Sequence, residues 1–173
     1  DLQIPPGAVP PEYEPVETAT ADSAPLVTAL RENGAVSRGV DTATREYRPT
    51  GIVSTLQRSV GSLAIVCDER PTWATVEPVV IQCCEAFFAE MEREAAPSQT
   101  LSQTVSRGQA TVDWRLDIET ESSPDRLRDE LGFEVTGLWR IQQHGRVILC
   151  TTAYGSASAT EKLESLLDRC ATS

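Results

Sequence analysis

The five cysteines are the residues of this sequence with the widest choice of chemistry: Cys67, Cys83, Cys84, Cys150 and Cys170. Thiolates bind metals, act as nucleophiles and form disulfides. No two of them have the C-x2-C spacing that is typical of zinc ligands. Cys83 and Cys84 fall in a predicted helix, where neighbours point about 100° apart. They are therefore not expected to hold one ion, and a bridge between them would be badly strained.

Disulfides between distant cysteines fit the predicted elements better. Cys67 ends a predicted strand shortly before the helix, so a bridge to Cys83 or Cys84 is geometrically reasonable. The helical stripe places Cys83 in the core and leaves Cys84 as the better candidate to meet Cys67. Cys150 on the last predicted strand and Cys170 on the last helix form a second candidate pair, worth roughly 2–3 kcal/mol for its loop length.

The alternative for the cysteines is that all five stay reduced. A free buried cysteine packs as a small hydrophobic side chain, and thiols persist in the cytosol. In either case the odd number leaves one cysteine unpaired within the chain.

The remaining residues indicate no catalytic, cofactor-binding or metal site. His144 is the only histidine, and it falls in a predicted hairpin turn with no orienting carboxylate nearby. Neither a glycine-rich phosphate loop nor a G-x-S-x-G elbow is present. Acidic pairs such as Asp113 and Asp117 fall on predicted polar faces, and Trp114 and Trp139 are expected in the core. A hydrolase remains an alternative only if a pocket gathers carboxylates from separate strands.

Charge restricts the partners. The net charge of the 173-residue chain is −11, which repels phosphate backbones and anionic lipid headgroups. We therefore predict no nucleic-acid partner. Membrane association is expected only through an upstream anchor that this sequence does not contain. The chain begins at Asp1, which fits either a removed leader, anchor or tag, or a trimmed chain.

The first 25 residues differ in composition from the rest. They hold six of the eleven prolines, five acidic residues and no basic residue. Such a segment has too few apolar groups to build a core. We predict a largely disordered linker or tail over 1–25 and a single α+β domain over 26–173.

The periodicity of residues 26–173 predicts hairpins that alternate with single helices. A short helix over about 24–33 is followed by a loop with at most one edge strand over 34–51, then by a hairpin turning at the sequence SVGS, 59–62. A long helix begins near Thr75, with a stripe formed by Val76, Val80, Cys83, Phe87 and Met91.

The second half adds two hairpins and two helices. Residues 110–120, ATVDWRLDIET, alternate strictly between apolar and polar, which indicates a strand with one buried face. It is expected to pair with LSQTVSR through Gly108 and Gln109. A short helix over about 122–132, a hairpin turning at His144 and Gly145, and a final helix from Ser158 complete the chain. The fold class is α+β: an antiparallel sheet of about six strands with helices packed on it.

These features together resemble one family. A proline-rich acidic lead, a strand with VDWRLDI, a later strand with GRVILC and a closing helix with LLDRC are similar to small extracytoplasmic domains of actinobacteria that share the PsbP-like fold. The likeness covers roughly residues 50–170 and is nearest to lipoproteins and type VII secretion-associated proteins. Members often carry a cysteine on the last strand and one on the last helix, here Cys150 and Cys170. The lipobox cysteine of such lipoproteins is not in this sequence.

The resemblance implies a non-catalytic accessory or binding domain outside the cytoplasmic membrane, associated with cell-envelope or secretion machinery. Its expected partner is a protein or a small apolar ligand. The alternative is a cytosolic, acidic, chaperone-like adaptor of a secretion system, in which the cysteines stay reduced and residues 1–25 are a mere tail.

Overall fold

The computed structural model describes residues 13–16, 25–49, 59–120, 135–156, 164–165 and 168. Within these residues two helices pack with a seven-stranded antiparallel sheet. The α+β class and the antiparallel sheet expected from the sequence are therefore confirmed. The short helix predicted over about 122–132, the Ser158 cap and Cys170 lie outside the described residues.

The helices α1 and α2 carry the apolar side of the fold. Helix α1 (Pro25–Glu32) buries Val27 and Leu30, and Gly34 follows its end with a φ of +67°, the left-handed conformation that glycine tolerates. Helix α2 (Trp73–Glu94) begins two residues before the predicted cap, with Thr72 as its N-cap residue. Pro78 is the sixth residue of α2 and lies inside the helix, so it removes one backbone hydrogen bond there.

The strands run in an order that places sequence hairpins side by side. Their spatial order is β1-β2-β3-β7-β6-β5-β4, and every neighbouring pair is antiparallel. Their bounds are β1 (Tyr13–Val16), β2 (Asp41–Pro49), β3 (Ser59–Val66), β4 (Gln99–Gly108), β5 (Thr111–Thr120), β6 (Val135–His144) and β7 (Val147–Ser156). Strand β3 pairs with β7 and so joins β1 and β2 to the second half of the sheet, β7-β6-β5-β4. In the described part of the chain, the outer strands of the sheet are therefore β1 and β4.

Strand β5 shows how the sheet divides into two faces. Val112, Trp114 and Leu116 are buried, and the residues between them are only partly so. The buried row belongs to the apolar core cluster, together with Val76 and Val80 of α2. We call this side of the sheet the helix face. We call the opposite side the polar face after its charged residues on β5 and β6, although it also buries Leu138, Ala153 and Val60. The alternation predicted for residues 110–120 is confirmed.

Three sequence predictions are corrected in the first half of the chain. Residues 59–62 are not a turn but the start of β3, which pairs with both β2 and β7. Gly61 serves close packing instead: a Cβ there would lie 3.0 Å from the Thr152 hydroxyl. Residues 41–49, predicted as a loop with one edge strand, form the inner strand β2. Its neighbour β1 lies within the segment predicted as a tail, although the boundary at residue 25 stays a prediction.

Both hairpin turns lie one residue later than predicted. The β4–β5 turn is formed by Gln109 and Ala110, and Ala110 has a positive φ of 56°. The β6–β7 turn is formed by Gly145 and Arg146, with Gly145 at a φ of +58°. A conformation that L-residues rarely adopt thus falls on a glycine in one turn and on an alanine in the other.

Gly137 on β6 provides the space that a tryptophan fills. A Cβ at Gly137 would lie 2.4 Å from the ring of Trp139, which stands on the same face two residues later. The Trp139 ring also lies 4.5 Å, centroid to centroid, from that of Trp114 on β5. The ring therefore cannot move away from Gly137 without disturbing the core.

We expect Gly137→Ala to destabilise the protein by about 1–3 kcal/mol, the usual cost of overpacking a closely packed site. Urea denaturation followed by tryptophan fluorescence measures the change. The matched control is Gly39→Ala, where the added Cβ would meet only the Asp68 carboxylate at 3.8 Å. An unchanged midpoint for Gly137→Ala would contradict the packing described.

Candidate functional site

The polar face of the sheet carries two arginines between carboxylates. Asp113, Arg115 and Asp117 alternate with the buried row of β5, and register places Arg140 of β6 opposite Asp113. Helical residues from the end of the chain, Glu164 and Asp168, reach the same face. The acidic pair noted in the sequence thus lies beside cations from its own and the neighbouring strand.

Arg140 joins the sheet to the last helical residues. Its guanidinium Nε donates to Asp113 Oδ1 at 2.7 Å, and Nη1 donates to Asp168 Oδ1 at 2.5 Å. The hydrogen bond to Asp113 is the main cause that raises the pKa of Arg140, although burial acts in the opposite direction. Arg140 therefore stays charged and holds a strand carboxylate and a helix carboxylate together.

Arg115, two residues after Asp113 on β5, also contacts both a strand carboxylate and a helix carboxylate. It donates two hydrogen bonds to Asp117, of 2.8 and 3.2 Å, and lies 3.5 Å from Glu164. The buried Thr136 donates a third bond to Asp117, at 2.7 Å. Burial alone would raise the pKa of Asp117, but the bonds from Arg115 and Thr136 and the arginine charge outweigh it and lower the pKa.

An open groove of about 250 Å³ between the sheet and the last helical residues is lined by Asp113, Arg115, Arg140, Glu164 and Asp168. Its floor includes Leu138, and its outer side is formed by Thr104 and Ser106 of β4. The groove does gather carboxylates from separate elements, as the hydrolase alternative requires. Each of the groove carboxylates, Asp113, Glu164 and Asp168, is paired with an arginine of the same groove. The arrangement is suited to binding charged groups.

The cysteines lie mainly in the core on the helix face. Cys67, Cys83, Cys84 and Cys150 are free thiols. The prediction that Cys83 faces the core and Cys84 its flank is wrong: Cys84 is 6% exposed and Cys83 is only partly buried. The side of α2 that carries Cys84 is near Cys150 of β7, since a charge on Cys84 contributes to raising the pKa of Cys150. Burial raises the pKa of Cys84 and of Cys150 to about 12.

No bridge from Cys67 to Cys84 is formed in the structure, and burial also raises the pKa of Cys67. The pairing of Cys150 with Cys170 lies outside the described residues and stays a prediction. Neutral, buried thiols are poor nucleophiles and poor metal ligands. Within the described residues, no group of three His, Cys, Asp or Glu side chains could hold a metal ion.

The tryptophans singled out in the sequence form an aromatic cluster with Phe87. Phe87 of α2 meets Trp114 edge-on at 5.7 Å and Trp139 at 6.1 Å between ring centroids. The Trp114 indole donates to Gln103 Oε1 of β4 at 2.9 Å. Phe87 remains 44% exposed, but its edge contacts fasten α2 to the sheet. His144 is exposed beside the β6–β7 turn and bonds Gln142.

The two outer strands of the sheet differ sharply. Strand β1 has four residues and contains Pro15, which has no N–H to donate. Strand β4 has ten residues without proline or lysine, and its register with β5 is unbroken from Gln99 to Gly108. Short strands, proline, lysine and bulges are the usual protection of sheet edges. Within the described residues the charged side chain of β4 is that of Arg107, which lies near the end of the strand and pairs with Glu77, and nothing pairs with the outer side of β4.

Sequence reasoning missed Arg115, Arg140 and the whole of β4 as site residues. The signal for the arginines was the alternation of β5, which puts Asp113, Arg115 and Asp117 on one face. Their partner Arg140 is 27 residues from Asp113, so only the strand register reveals it. The signal for β4 was its composition, a regular polar strand without a protective residue.

No protein-family model matches the chain, and no curated protein matches it. Among solved structures it is similar to the cyanobacterial PsbP protein CyanoP from Synechocystis sp. PCC 6803, at 12% identity and a TM-score of 0.46, covering 95% of this chain and 82% of that one. It is similar to the extracellular domain of PknH from Mycobacterium tuberculosis, at 13% identity and a TM-score of 0.45, covering 94% and 86%.

A third neighbour is LpqN, which is involved in cell envelope biogenesis of Mycobacterium tuberculosis. It has 12% identity and a TM-score of 0.33, with 95% of this chain and 78% of that chain covered. The structural neighbours are thus a PsbP protein and mycobacterial proteins, one of them an extracellular domain. No helix in the described part of the chain is long and apolar enough to cross a membrane.

The lowered pKa of Asp117 makes stability depend on pH. Because the folded state holds this proton less tightly than the unfolded state, unfolding takes up protons at acid pH and stability rises with pH. The stabilising contribution of ionised Asp117 is complete above its pKa in the unfolded state, about 4, and is lost as the pH falls through its lower pKa in the folded state. We expect Asp117→Asn to cost roughly 1–2 kcal/mol at pH 7 and markedly less at pH 3.

Urea denaturation of both proteins at pH 7 and pH 3 measures this difference. Asp41→Asn, an exposed carboxylate at the start of β2, is the control for removing one charge. An equal cost of Asp117→Asn at both pH values would show that ionisation of Asp117 contributes nothing to folding.

Proposed function

We propose that this chain is a non-catalytic, extracytoplasmic binding domain that captures an extended protein segment along β4. The observation that carries the proposal is the ten-residue edge of β4, which is regular and has no proline, bulge or charged side chain from Gln99 to Ser106. Every second residue of an edge strand points its backbone N–H and C=O outward, so such an edge can accept another strand.

The contrast with β1 supports a functional reason for this edge. One edge of the same sheet is ended by a four-residue strand with a proline, which discourages pairing. An exposed edge invites aggregation, and proteins ordinarily protect it. Strand β4 is long and has little protection, whereas β1 is short. This contrast is consistent with an additional strand that pairs with β4 and not with β1.

The core beneath β4 supports a rigid docking edge. Leu101 and Val105 are partly buried against the core cluster, and Gln103 accepts the Trp114 indole bond. Because these contacts hold β4 in place, a partner strand would meet an ordered edge and lose less free energy to ordering the site. The tryptophans and the neutral thiols already have structural roles.

The extracytoplasmic placement and an association with cell-envelope or secretion machinery are parts of the same proposal. They are supported by the proline-rich acidic lead and the five cysteines of the sequence. The second candidate, a cytosolic chaperone-like adaptor, is favoured by the four free thiols of the described residues. Both candidates bind extended segments, so the compartment and the docking edge need separate tests.

The edge is tested by proline substitutions at two consecutive positions. One of Thr104→Pro and Val105→Pro removes an outward N–H, and the other removes an N–H bonded to β5. The alanine variants Thr104→Ala and Val105→Ala control for the lost side chains. We expect the outward proline variant to keep the urea midpoint of its alanine control and to lose binding of 12-residue peptides selected from a random phage library on the unmodified protein.

A second measurement does not depend on the folding of any variant. N-methylation of the odd-numbered residues of a selected peptide, or of the even-numbered ones, is tested separately. We expect one of the two sets to abolish binding, because its N–H groups bond β4, and the other set to leave binding intact. Failure to select any peptide, or equal binding by the folded proline variant and its control, would overturn docking at β4. Concentration-dependent dimerisation that the outward proline removes would assign the edge to a second copy instead.

The compartment is tested by counting thiols. For protein purified from its native source and alkylated in denaturant without reductant, we expect one or three free thiols by mass spectrometry, and five after reduction. Five free thiols before reduction would overturn the extracytoplasmic placement and favour the cytosolic adaptor, because disulfides persist in oxidising compartments and not in the cytosol.

A further inference from the structure

The two faces of β4 differ in chemistry along the same strand. On the helix face, Leu101 and Val105 are partly buried against the apolar core cluster. On the polar face stands a row of exposed hydroxyl residues: Thr100, Ser102, Thr104 and Ser106. A strand added to β4 would continue both faces, because its alternate side chains lie about 5 Å from those of β4 on each side.

The polar face behind this hydroxyl row has an excess of negative charge. The carboxylates that β5 and the last helical residues place there are Asp113, Asp117, Glu119, Glu164 and Asp168, against the cations Arg115 and Arg140 of β5 and β6. The side chain of Asp168 is 63% exposed and that of Glu164 51%, whereas that of Arg140 is only 21% exposed. The side chain of Arg115 is 39% exposed, so the carboxylates on this side are more numerous than the cations, and Glu164 and Asp168 are more exposed than either arginine.

The groove brings this charge within reach of the edge. Thr104 and Ser106 of β4 line the groove together with Asp113, Glu164 and Asp168. A long side chain on a strand beside β4 can extend over the small hydroxyl residues towards the carboxylates. A lysine or arginine is long enough for this and carries the complementary charge.

From these observations, and resting on the proposed function, we infer that the segment captured by β4 alternates between apolar and basic residues. Its apolar side chains extend the row of Leu101 and Val105, and its lysines or arginines face the groove. An acidic segment is rejected by the same carboxylates and by the net charge of −11. The alternation also sets the register, because a slip of one residue would place the basic side chains against the apolar row.

The test uses blocked eight-residue peptides of the repeat Val-Lys-Val-Lys, with the lysines replaced by serine or by glutamate in two others. A fourth peptide has the composition of the first without alternation. By calorimetry in low salt we expect the alternating lysine peptide to bind at least tenfold tighter than the serine peptide. The glutamate and non-alternating peptides are expected to bind weakest, and the lysine advantage to shrink in high salt.

Glu164→Gln locates the effect on the protein. Arg115 keeps Asp117 as its partner in this variant, so the network survives. We expect the lysine peptide to bind about two- to fivefold more weakly, the range of an exposed ion pair, and the serine peptide to be unaffected. The matched control is Glu90→Gln, an exposed carboxylate on α2 with the same change of charge.

The outcomes separate the inference from the proposed function. Serine and lysine peptides of equal affinity would overturn the inference and leave docking at β4 intact. Equal losses in Glu164→Gln and Glu90→Gln, or equal binding of the non-alternating peptide, would also overturn it, since attraction to the overall charge would then suffice. If library-selected peptides bind at β4 but are acidic, the inference is wrong; if no peptide binds, the proposed function fails.

Discussion

The contact between Trp114 and Trp139 is the interaction on which the rest of this structure depends. Their rings lie 4.5 Å apart across β5 and β6, in the space that Gly137 leaves. Phe87 of α2 packs edge-on against both rings. One aromatic cluster thus fastens two strands and a helix together, and the indole bond to Gln103 adds β4.

That cluster also determines where the charged residues stand. Side chains alternate across a strand, so burying Trp114 on the helix face puts its neighbours on the polar face. If Arg115 and Arg140 were not paired with carboxylates, no ion pair would hold the last helical residues against the sheet. Instead Arg140 bonds carboxylates on a strand and on a helix. The electrostatic network is a consequence of the packing on the other side, and it leaves carboxylates as the accessible groups.

The sequence predicted those strands and helices whose buried and exposed sides can be recognised from their own residue pattern. The alternation of residues 110–120 and the start of the apolar stripe at Val76 are examples. The sequence-based predictions were wrong where the role of a residue depends on a contact with a residue distant in sequence. Gly61 was interpreted as a turn residue because its close contact with Thr152 cannot be seen locally. Cys83 was preferred to Cys84 because the helical period does not reveal which side of α2 lies near Cys150.

The candidate site was less predictable than the fold for the same reason. Asp113 and Arg140 are brought together by strand register, and an unprotected edge exists only once the strand order is known. With the order in hand, the asymmetry of the two edges becomes informative. A sheet that needed only solubility would be expected to protect both edges in similar ways. Here the tight aromatic cluster holds one long edge rigid beside an acidic groove while the other is short and carries a proline. Stability alone does not require that combination, whereas recognition of an extended, positively charged segment uses each part of it.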